Sequence, residues 1–328
     1  MIKKLGYFAF LFGFLTLLDG HVKYALSQEL ERGKVLEVSS VSHYSLKALE
    51  LSYKLIDSPQ LPKPKNPVAL YRVQYETIDQ DGDRARASGL LILPDFPPPE
   101  GEERKLSLVS YQHGTVLKKS AVPSRVHFNP ESLAGSLIYA SQGYALLASD
   151  YLGLGDSVGF HPYLHAETEA SAAYDFVIAA LRVMTEMGWE KTGRLYLTGY
   201  SQGGHATMAL GRYWQEHPIQ STETGLRIGG MVPMAGPYDL SGITLKMSQA
   251  MEGQETPAFT AYLVESMRRL YAPSLSREEL FERAILKDLD GVWNGSLTIA
   301  EALERLPSKT SEILSSQILD ALFNQDRE

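Results

Sequence analysis

The sequence predicts an α/β fold with a mostly parallel sheet, and two observations lead to this prediction. Short apolar segments, mostly bounded by glycine, recur in the middle of the chain at residues 105–111, 144–150, 194–200 and 228–236. Such runs are typical of strands that are buried on both faces of a parallel sheet. Helical stretches lie between them, and this alternation indicates parallel strands that are joined by helical crossovers.

The chain ahead of this alternation predicts an antiparallel hairpin. Residues 69–94 alternate apolar and polar side chains on both sides of Asp81-Gly82-Asp83, which is typical of a hairpin that turns at the Asp-Gly pair. Residues 28–66 have a mixed pattern and end in a proline-rich connector at 58–67, which cannot be a central strand or helix.

The pattern changes again after Gly236. Apolar residues recur at helical spacing, Ser276 and Glu279 form a capping box, and no convincing strand occurs over residues 241–328. We expect this part of the chain to be a helical cap on the α/β core.

The N-terminus predicts export. A basic start is followed by the uncharged apolar run Leu5–Leu18, which is shorter than the roughly 20 residues of a membrane span. Small residues follow at Ala25 and Ser27, so we expect a signal peptide cleaved after Ser27 and a secreted or periplasmic protein. An uncleaved N-terminal anchor is the alternative. The predicted segments are thus a signal peptide (1–27), the core (28–240) and the cap (241–328).

The composition of the chain argues against several classes of partner and site. The 328-residue chain has a net charge of −8 and a pI near 5.6, which argues against a nucleic-acid partner. The absence of cysteine excludes disulfides, thiolate metal sites and a cysteine nucleophile. We expect no cofactor and no metal.

A nucleophile motif lies between a predicted strand and a predicted helix. Gly199-Tyr200-Ser201-Gln202-Gly203 matches G-x-S-x-G, in which the serine occupies a strained strand-to-helix turn that needs flanking glycines. We expect Ser201 to be a catalytic nucleophile. A glycine-rich turn with an incidental serine is the alternative.

The segment Gln112-His113-Gly114-Thr115 follows the first predicted parallel strand. In this layout the loop after that strand donates one backbone N–H to the oxyanion, and the residue after the serine donates the other. We therefore predict an oxyanion hole from Gln202 and Thr115, with Gly114 as the alternative donor and as a close-approach position in the loop. His113 is expected to orient the loop, and a role as catalytic base is the alternative.

Four segments together resemble the secretory lipase family of α/β-hydrolases, the group of yeast lipase A and its bacterial relatives. These segments are YQHGT (111–115), ASDYLGLGDS (148–157), HPYLHAETEA (161–170) and TGYSQGGHA (198–206). The resemblance covers residues 66–240 well and the helical region loosely. It implies lipase- or esterase-type hydrolysis of carboxylic esters, acylglycerols among them, through an acyl-enzyme on Ser201. It also implies a cap over the pocket that contacts a lipid surface.

The remaining polar candidates have structural interpretations. Asp150 ends a parallel strand, where a catalytic acid is conceivable, but we expect it to bind neighbouring N–H groups. We expect His161 and His165 to be structural or at the pocket edge, and His205 to pack behind the serine turn. His217 is expected to interact with the dipole at the end of its helix.

A serine nucleophile of this kind works with an acid and a histidine that transfer the proton, and the sequence predicts no such pair for Ser201. Chain order in this architecture is serine, acid, histidine, and only His205 and His217 follow Ser201. We therefore expect that the chain is truncated before the last strands, which would carry the acid and the histidine, with Asp239 as a fallback acid. A non-catalytic binding protein for apolar esters or a partner is the second hypothesis, and amide hydrolysis stays open.

Overall fold

A computed structural model describes residues 31–96, 104–244 and 256–320. The predicted signal peptide lies outside these residues, as do parts of the predicted cap. Within the described part, no helix is long and apolar enough to cross a membrane.

The described residues form a seven-stranded mixed sheet. Its strands are β1 (Val35–Tyr44), β2 (Val68–Ile78), β3 (Arg84–Pro94), β4 (Lys105–Gln112), β5 (Tyr144–Ser149), β6 (Glu190–Tyr200) and β7 (Arg227–Met234). They are arranged in the order β1-β2-β3-β5-β4-β6-β7. The pairs β1/β2, β2/β3 and β3/β5 are antiparallel, and the other three pairs are parallel. The predicted α/β fold class is confirmed.

The predicted hairpin is formed by β2 and β3. Their register runs from Val68 opposite Pro94 to Ile78 opposite Arg84. In the turn the carboxylate of Asp79 accepts the backbone N–H groups of Asp81 and Asp83, each at 2.9 Å. This side chain therefore closes the turn around Gly82, whose φ of 82° suits glycine.

The helices lie between and after the strands. They are α1 (Leu46–Ile56), α2 (Pro130–Ile138), α3 (Ala166–Glu186), α4 (Gln202–Glu216), α5 (Pro218–Glu223), α6 (Thr256–Tyr271), α7 (Arg277–Leu280), α8 (Leu286–Trp293), α9 (Ile299–Arg305) and α10 (Ser316–Leu319). β1 and α1 lie in the segment 28–66, where the sequence pattern predicts no element. β1 is an outer strand, and its largely exposed side chains give little apolar alternation.

Two apolar clusters fix the core. One lies between the sheet and helices α3 and α4, where Phe176 packs against Tyr75 at 5.2 Å between ring centroids. The other includes Leu49 of α1 and Leu137 of α2 together with strand residues. The parallel strands β4, β5 and β6 are therefore buried, and their carboxyl ends meet at one edge of the sheet.

The described part of the cap is helical and has a core of its own. Phe281 and Trp293 are buried in it, with ring centroids 5.0 Å apart. The predicted capping box at Ser276 and Glu279 is present. The same cluster includes Tyr163, which belongs to the loop after β5, so the cap packs on the loops at the carboxyl ends of the strands.

Candidate active site

Ser201 occupies the turn between β6 and α4. Its φ is 59° and its ψ is −120°, a conformation that is strained for any residue other than glycine. Its N–H donates to the carbonyl of Met234 in β7 at 3.0 Å, and its own carbonyl accepts from Gly204 and His205. The turn is thus held from both sides, in the geometry of a nucleophile elbow.

The glycines around Ser201 are required by contacts between backbones. A Cβ atom at Gly203 would lie 1.9 Å from the carbonyl oxygen of Gln112, at the end of β4. At Gly199 it would lie 2.4 Å from the carbonyl oxygen of Gly203, and at Gly204 it would lie 2.5 Å from that of Met234. Only glycine lets α4 begin this close to the strand ends.

The predicted oxyanion donors are the backbone N–H groups of Gln202, in the elbow, and of Thr115, in the loop after β4. Within the described residues, neither Gln202 N–H nor Thr115 N–H donates a hydrogen bond. Gly114 N–H instead points at Oε1 of Glu131, at 3.5 Å. A Cβ at Gly114 would lie 3.5 Å from the carbonyl of Tyr200, which places this loop beside the elbow. The arrangement favours Thr115 over Gly114 as the second donor.

Thr115 is also fixed through its side chain. Its Oγ1 shares a hydrogen bond of 2.9 Å with the hydroxyl of Tyr163. The ring of Tyr163 stacks on that of Tyr262 in α6, with centroids 4.7 Å apart, and the carbonyl of Tyr163 accepts from Ser266 Oγ. The loop after β4 is therefore connected to α6 through one tyrosine.

His113 and Asp150 lie beneath the loop and are fully buried. The His113 ring packs on Tyr151 at 4.3 Å, and its nitrogens lie near the carbonyls of Gly114 (2.7 Å) and Asp150 (3.3 Å). Its interactions are those of a residue that orients the loop, as expected.

The Asp150 carboxylate accepts the N–H and hydroxyl of Ser124 and the hydroxyl of Ser88. Burial raises the pKa of Asp150, against the hydrogen bonds from Ser124 and Ser88 that lower it. As expected, the carboxylate serves to bind the neighbouring segment.

A polar network that sequence reasoning missed lies behind the elbow. The side-chain amide nitrogen of Gln202 lies 2.8 Å from His161 Nε2 and 2.8 Å from Glu169 Oε1. The other carboxylate oxygen of Glu169 lies 2.7 Å from Nδ1 of His205. Glu169 is 1% exposed, and it joins the first turn of α3 to the first turn of α4.

No described histidine is hydrogen-bonded to the Ser201 hydroxyl. His161 and His205 are engaged in the network behind the elbow. His165 pairs with Thr168 Oγ1, and His217 lies at the far end of α4 near the carbonyl of Tyr213. These positions agree with the structural interpretations of the sequence.

Asp239, the fallback acid of the sequence prediction, forms a hydrogen bond within its own loop. Asp239 follows β7, and its Oδ1 accepts the N–H of Gly242 at 2.8 Å. Among the described residues, no group of three or more histidine or acidic side chains is arranged to hold a metal ion.

No protein-family model and no curated protein matches this chain. Solved structures do. A protein from Legionella pneumophila that is assigned as a hydrolase has a TM-score of 0.79 and 27% identity, over 90% of this chain and 76% of its own. The rice cell wall degrading esterase LipA from Xanthomonas oryzae has a TM-score of 0.79 and 25% identity, over the same shares of 90% and 76%.

A more distant likeness extends to Candida antarctica lipase A, with 16% identity and a TM-score of 0.58 over 88% of this chain and 62% of that one. This last comparison bears on the fold alone. The chain has the α/β-hydrolase fold, and its similarity to hydrolases and esterases supports a hydrolase function of the esterase type.

Proposed function

We propose that this protein is an exported serine hydrolase that cleaves carboxylic esters through an acyl-enzyme on Ser201. One observation carries the proposal: Ser201 occupies a strained strand-to-helix turn, and the backbone N–H groups of Gln202, next to it in the chain, and of Thr115, in the neighbouring loop, donate no hydrogen bond within the described residues. A turn without a catalytic role has no need for this strain or for three glycines in backbone contact.

The reaction follows from these positions. Ser201 Oγ attacks the acyl carbon and loses its proton, and the carbonyl oxygen becomes an oxyanion that accepts the N–H groups of Gln202 and Thr115. The C–O bond to the alcohol breaks, and the alcohol leaves with a proton. Water then attacks the acyl-enzyme through a second oxyanion, which releases the carboxylic acid and restores the serine.

These steps need a proton acceptor within hydrogen-bond distance of Ser201 Oγ. His161, His165, His205 and His217 each have another hydrogen-bond partner, and in the described part of the chain none of them is hydrogen-bonded to Ser201 Oγ. Histidines that are engaged by other partners in this way have structural roles, so we infer that none of the four is the base.

The finer features of the proposal come from the sequence motifs. We place the protein in the secretory lipase family, with acylglycerols among its esters and a cap that contacts a lipid surface. The apolar segment Leu5–Leu18 and the small residues before position 28 support export by a signal peptide.

Substitution of Ser201 tests the nucleophile. In the protein expressed from its complete gene, we expect Ser201→Ala to lower the turnover of p-nitrophenyl butyrate by about 10³-fold or more, because covalent catalysis is lost. A fluorophosphonate probe should label the wild type and leave the variant unlabelled, as read by intact mass.

The matched control is Ser241→Ala, a serine outside the elbow, which should retain both activities. The second hypothesis, a binding protein for apolar esters, is favoured by the lack of a described histidine on Ser201. It predicts that the wild type neither hydrolyses the ester nor reacts with the probe, and that result would overturn the proposed function.

A further inference from the structure

Two sequence motifs that lie about 30 residues apart along the chain meet behind the elbow. His161 and Glu169 come from HPYLHAETEA, and Gln202 and His205 come from TGYSQGGHA. We propose that Glu169 is a positioning residue for the oxyanion hole: it clamps the first turn of α4 at two points and so fixes the direction of the Gln202 backbone N–H. This inference rests on the proposed function.

The first clamp acts on Gln202 itself. Gln202 is 1% exposed, and its side-chain amide contacts Glu169 and His161. One amide hydrogen goes to Glu169 Oε1 and the other to His161 Nε2, both at 2.8 Å. Because a carboxylate only accepts, Glu169 also dictates which end of the amide faces it. The amide oxygen has no hydrogen-bond partner in the described part of the chain, so the nitrogen alone orients the side chain.

His161 completes this clamp as a neutral acceptor. Its Nδ1 lies 2.8 Å from the carbonyl of Leu152, and this nitrogen must carry the proton because a carbonyl cannot donate. Nε2 is then free to accept from Gln202. Burial lowers the pKa of His161 to about 4, so the ring stays neutral at ordinary pH.

The second clamp acts three residues further along α4. Glu169 Oε2 pairs with His205 Nδ1 at 2.7 Å, and His205 is 11% exposed. Burial lowers the pKa of His205, but the hydrogen bond and charge of Glu169 raise it by more, so the net shift is upward. Residues 202 and 205 lie on one face of the helix, and a single carboxylate therefore holds both.

This arrangement acts on catalysis through geometry. The side chain and the oxyanion N–H of Gln202 belong to the same residue, so loss of the clamp lets the first turn of α4 rotate. A misplacement of about 1 Å in a catalytic group costs on the order of 10²-fold in rate. We expect contacts with the substrate outside the oxyanion hole to be unaffected, so the loss should fall on kcat and leave KM nearly unchanged.

The test compares kcat and KM for p-nitrophenyl butyrate in the protein expressed from its complete gene. We expect Glu169→Ala and Gln202→Met each to lower kcat by about 10- to 100-fold with KM within about twofold. Glu169→Gln should recover most of kcat, because its oxygen can accept from Gln202 and its amide can donate to neutral His205. His217→Ala, at the other end of α4, is the control for a general loss of helix stability.

The outcomes separate the two proposals. Thermal unfolding identifies variants that fail to fold, and Gln202→Met keeps the backbone and the Glu169–His205 pair if Glu169→Ala is unstable. If Ser201→Ala abolishes hydrolysis but both variants behave like His217→Ala, or lose activity through KM, Glu169 has no positioning role. If Ser201→Ala retains hydrolysis, the proposed function fails and the inference fails with it.

Discussion

At the scale of single residues, Gly203 shows how closely the elbow is packed. A Cβ there would lie 1.9 Å from the carbonyl oxygen of Gln112 and 2.9 Å from that of His113. Both neighbours are backbone atoms of the strand end and its loop, so neither can rotate away as a side chain does. The loop after β4 and α4 can therefore keep this short separation only while residue 203 has no side chain.

We predict that Gly203→Ala lowers ester hydrolysis by about 10²-fold or more and destabilises the protein by about 1–3 kcal/mol, because the added methyl forces α4 away from β4. Activity assays measure the loss of ester hydrolysis, and thermal unfolding measures the loss of stability. Gly230→Ala is the matched control, because a Cβ there would meet Tyr196 Cδ1 at an ordinary 3.6 Å on an exposed strand. Equal behaviour of the two variants would contradict the packing argument.

What the sequence predicts at this scale depends on how local the physical requirement is. The strained backbone at Ser201 requires glycines at fixed positions on either side, so a motif of five consecutive residues is enough to predict the elbow. The role of Glu169 depends on a contact with Gln202, 33 positions along the chain, and no spacing rule connects them. The sequence does offer one signal. Histidine, glutamate and glutamine residues cluster in the segments 161–170 and 198–206, and each segment lies at the start of a predicted helix.

At the scale of elements, helix α6 joins the cap to the core through a buried charge cluster. Glu265 is 3% exposed and accepts hydrogen bonds from Arg268, Arg269 and Arg277. The guanidinium of Arg269 lies 5.0 Å from the ring centroid of Phe160, in the loop after β5. The carboxylate thus organises the arginines that link the cap helices to one another and to the core loop.

The charge of Glu265 makes this linkage sensitive to acid. Burial raises the pKa of Glu265, but hydrogen bonds from the three arginines lower it by more, to about 2 from 4.5. A carboxylate whose pKa is lower in the folded state stabilises that state above the unfolded pKa, and the contribution is lost as the pH falls through the folded pKa. The stabilisation is therefore complete above pH 4.5 and disappears towards pH 2.

We predict that Glu265→Gln lowers the Tm by several degrees at pH 7, because three arginines lose their buried counter-charge. The difference from wild type should narrow between pH 4.5 and pH 2, as followed by thermal unfolding at a series of pH values. Asp290→Asn is the control, since Asp290 also contacts Arg277 but is 58% exposed. A Tm difference that is independent of pH would show that charge has no part in the effect.

The elements that the sequence predicts are those with a strong apolar pattern. The hairpin β2–β3, strands β4 to β6 and the long helices bury a regular face, and their types agree with the prediction. β7 is a strand as predicted, but none of its residues is buried, so the expected burial on both faces was wrong for this strand, which is the last one in the described sheet. β1 and α1 were missed because most of their side chains are exposed, with Leu49 the one residue of α1 that is buried. An element that contributes few side chains to the core leaves little periodicity to detect.

At the scale of the whole molecule, the alternation of strands and helices was sufficient to predict the fold class but not the order of the strands. β5 lies between β3 and β4 in the sheet. The connection from β3 to β4 therefore skips one strand position, and β5 then fills it. Contacts between strands that are distant in sequence decide this order, and a single sequence does not display them. The likeness to the Legionella hydrolase and to LipA covers 90% of the chain at the level of three-dimensional structure, although the identity is 27% or lower.

The position of β7 has a consequence for the colloidal behaviour of the protein. β7 is the last strand in the order of the described sheet, and it presents the side chains of Val232 (58% exposed) and Met234 (38% exposed) to solvent. Exposed apolar strands at the edge of a sheet can pair with strands of other chains. We therefore expect the 328-residue chain to self-associate as its concentration rises. Light scattering measures this association. Val232→Lys should suppress this association, because an edge lysine must be desolvated before strands can pair. Leu55→Lys, on the exposed face of α1, is the control that changes charge equally without touching β7.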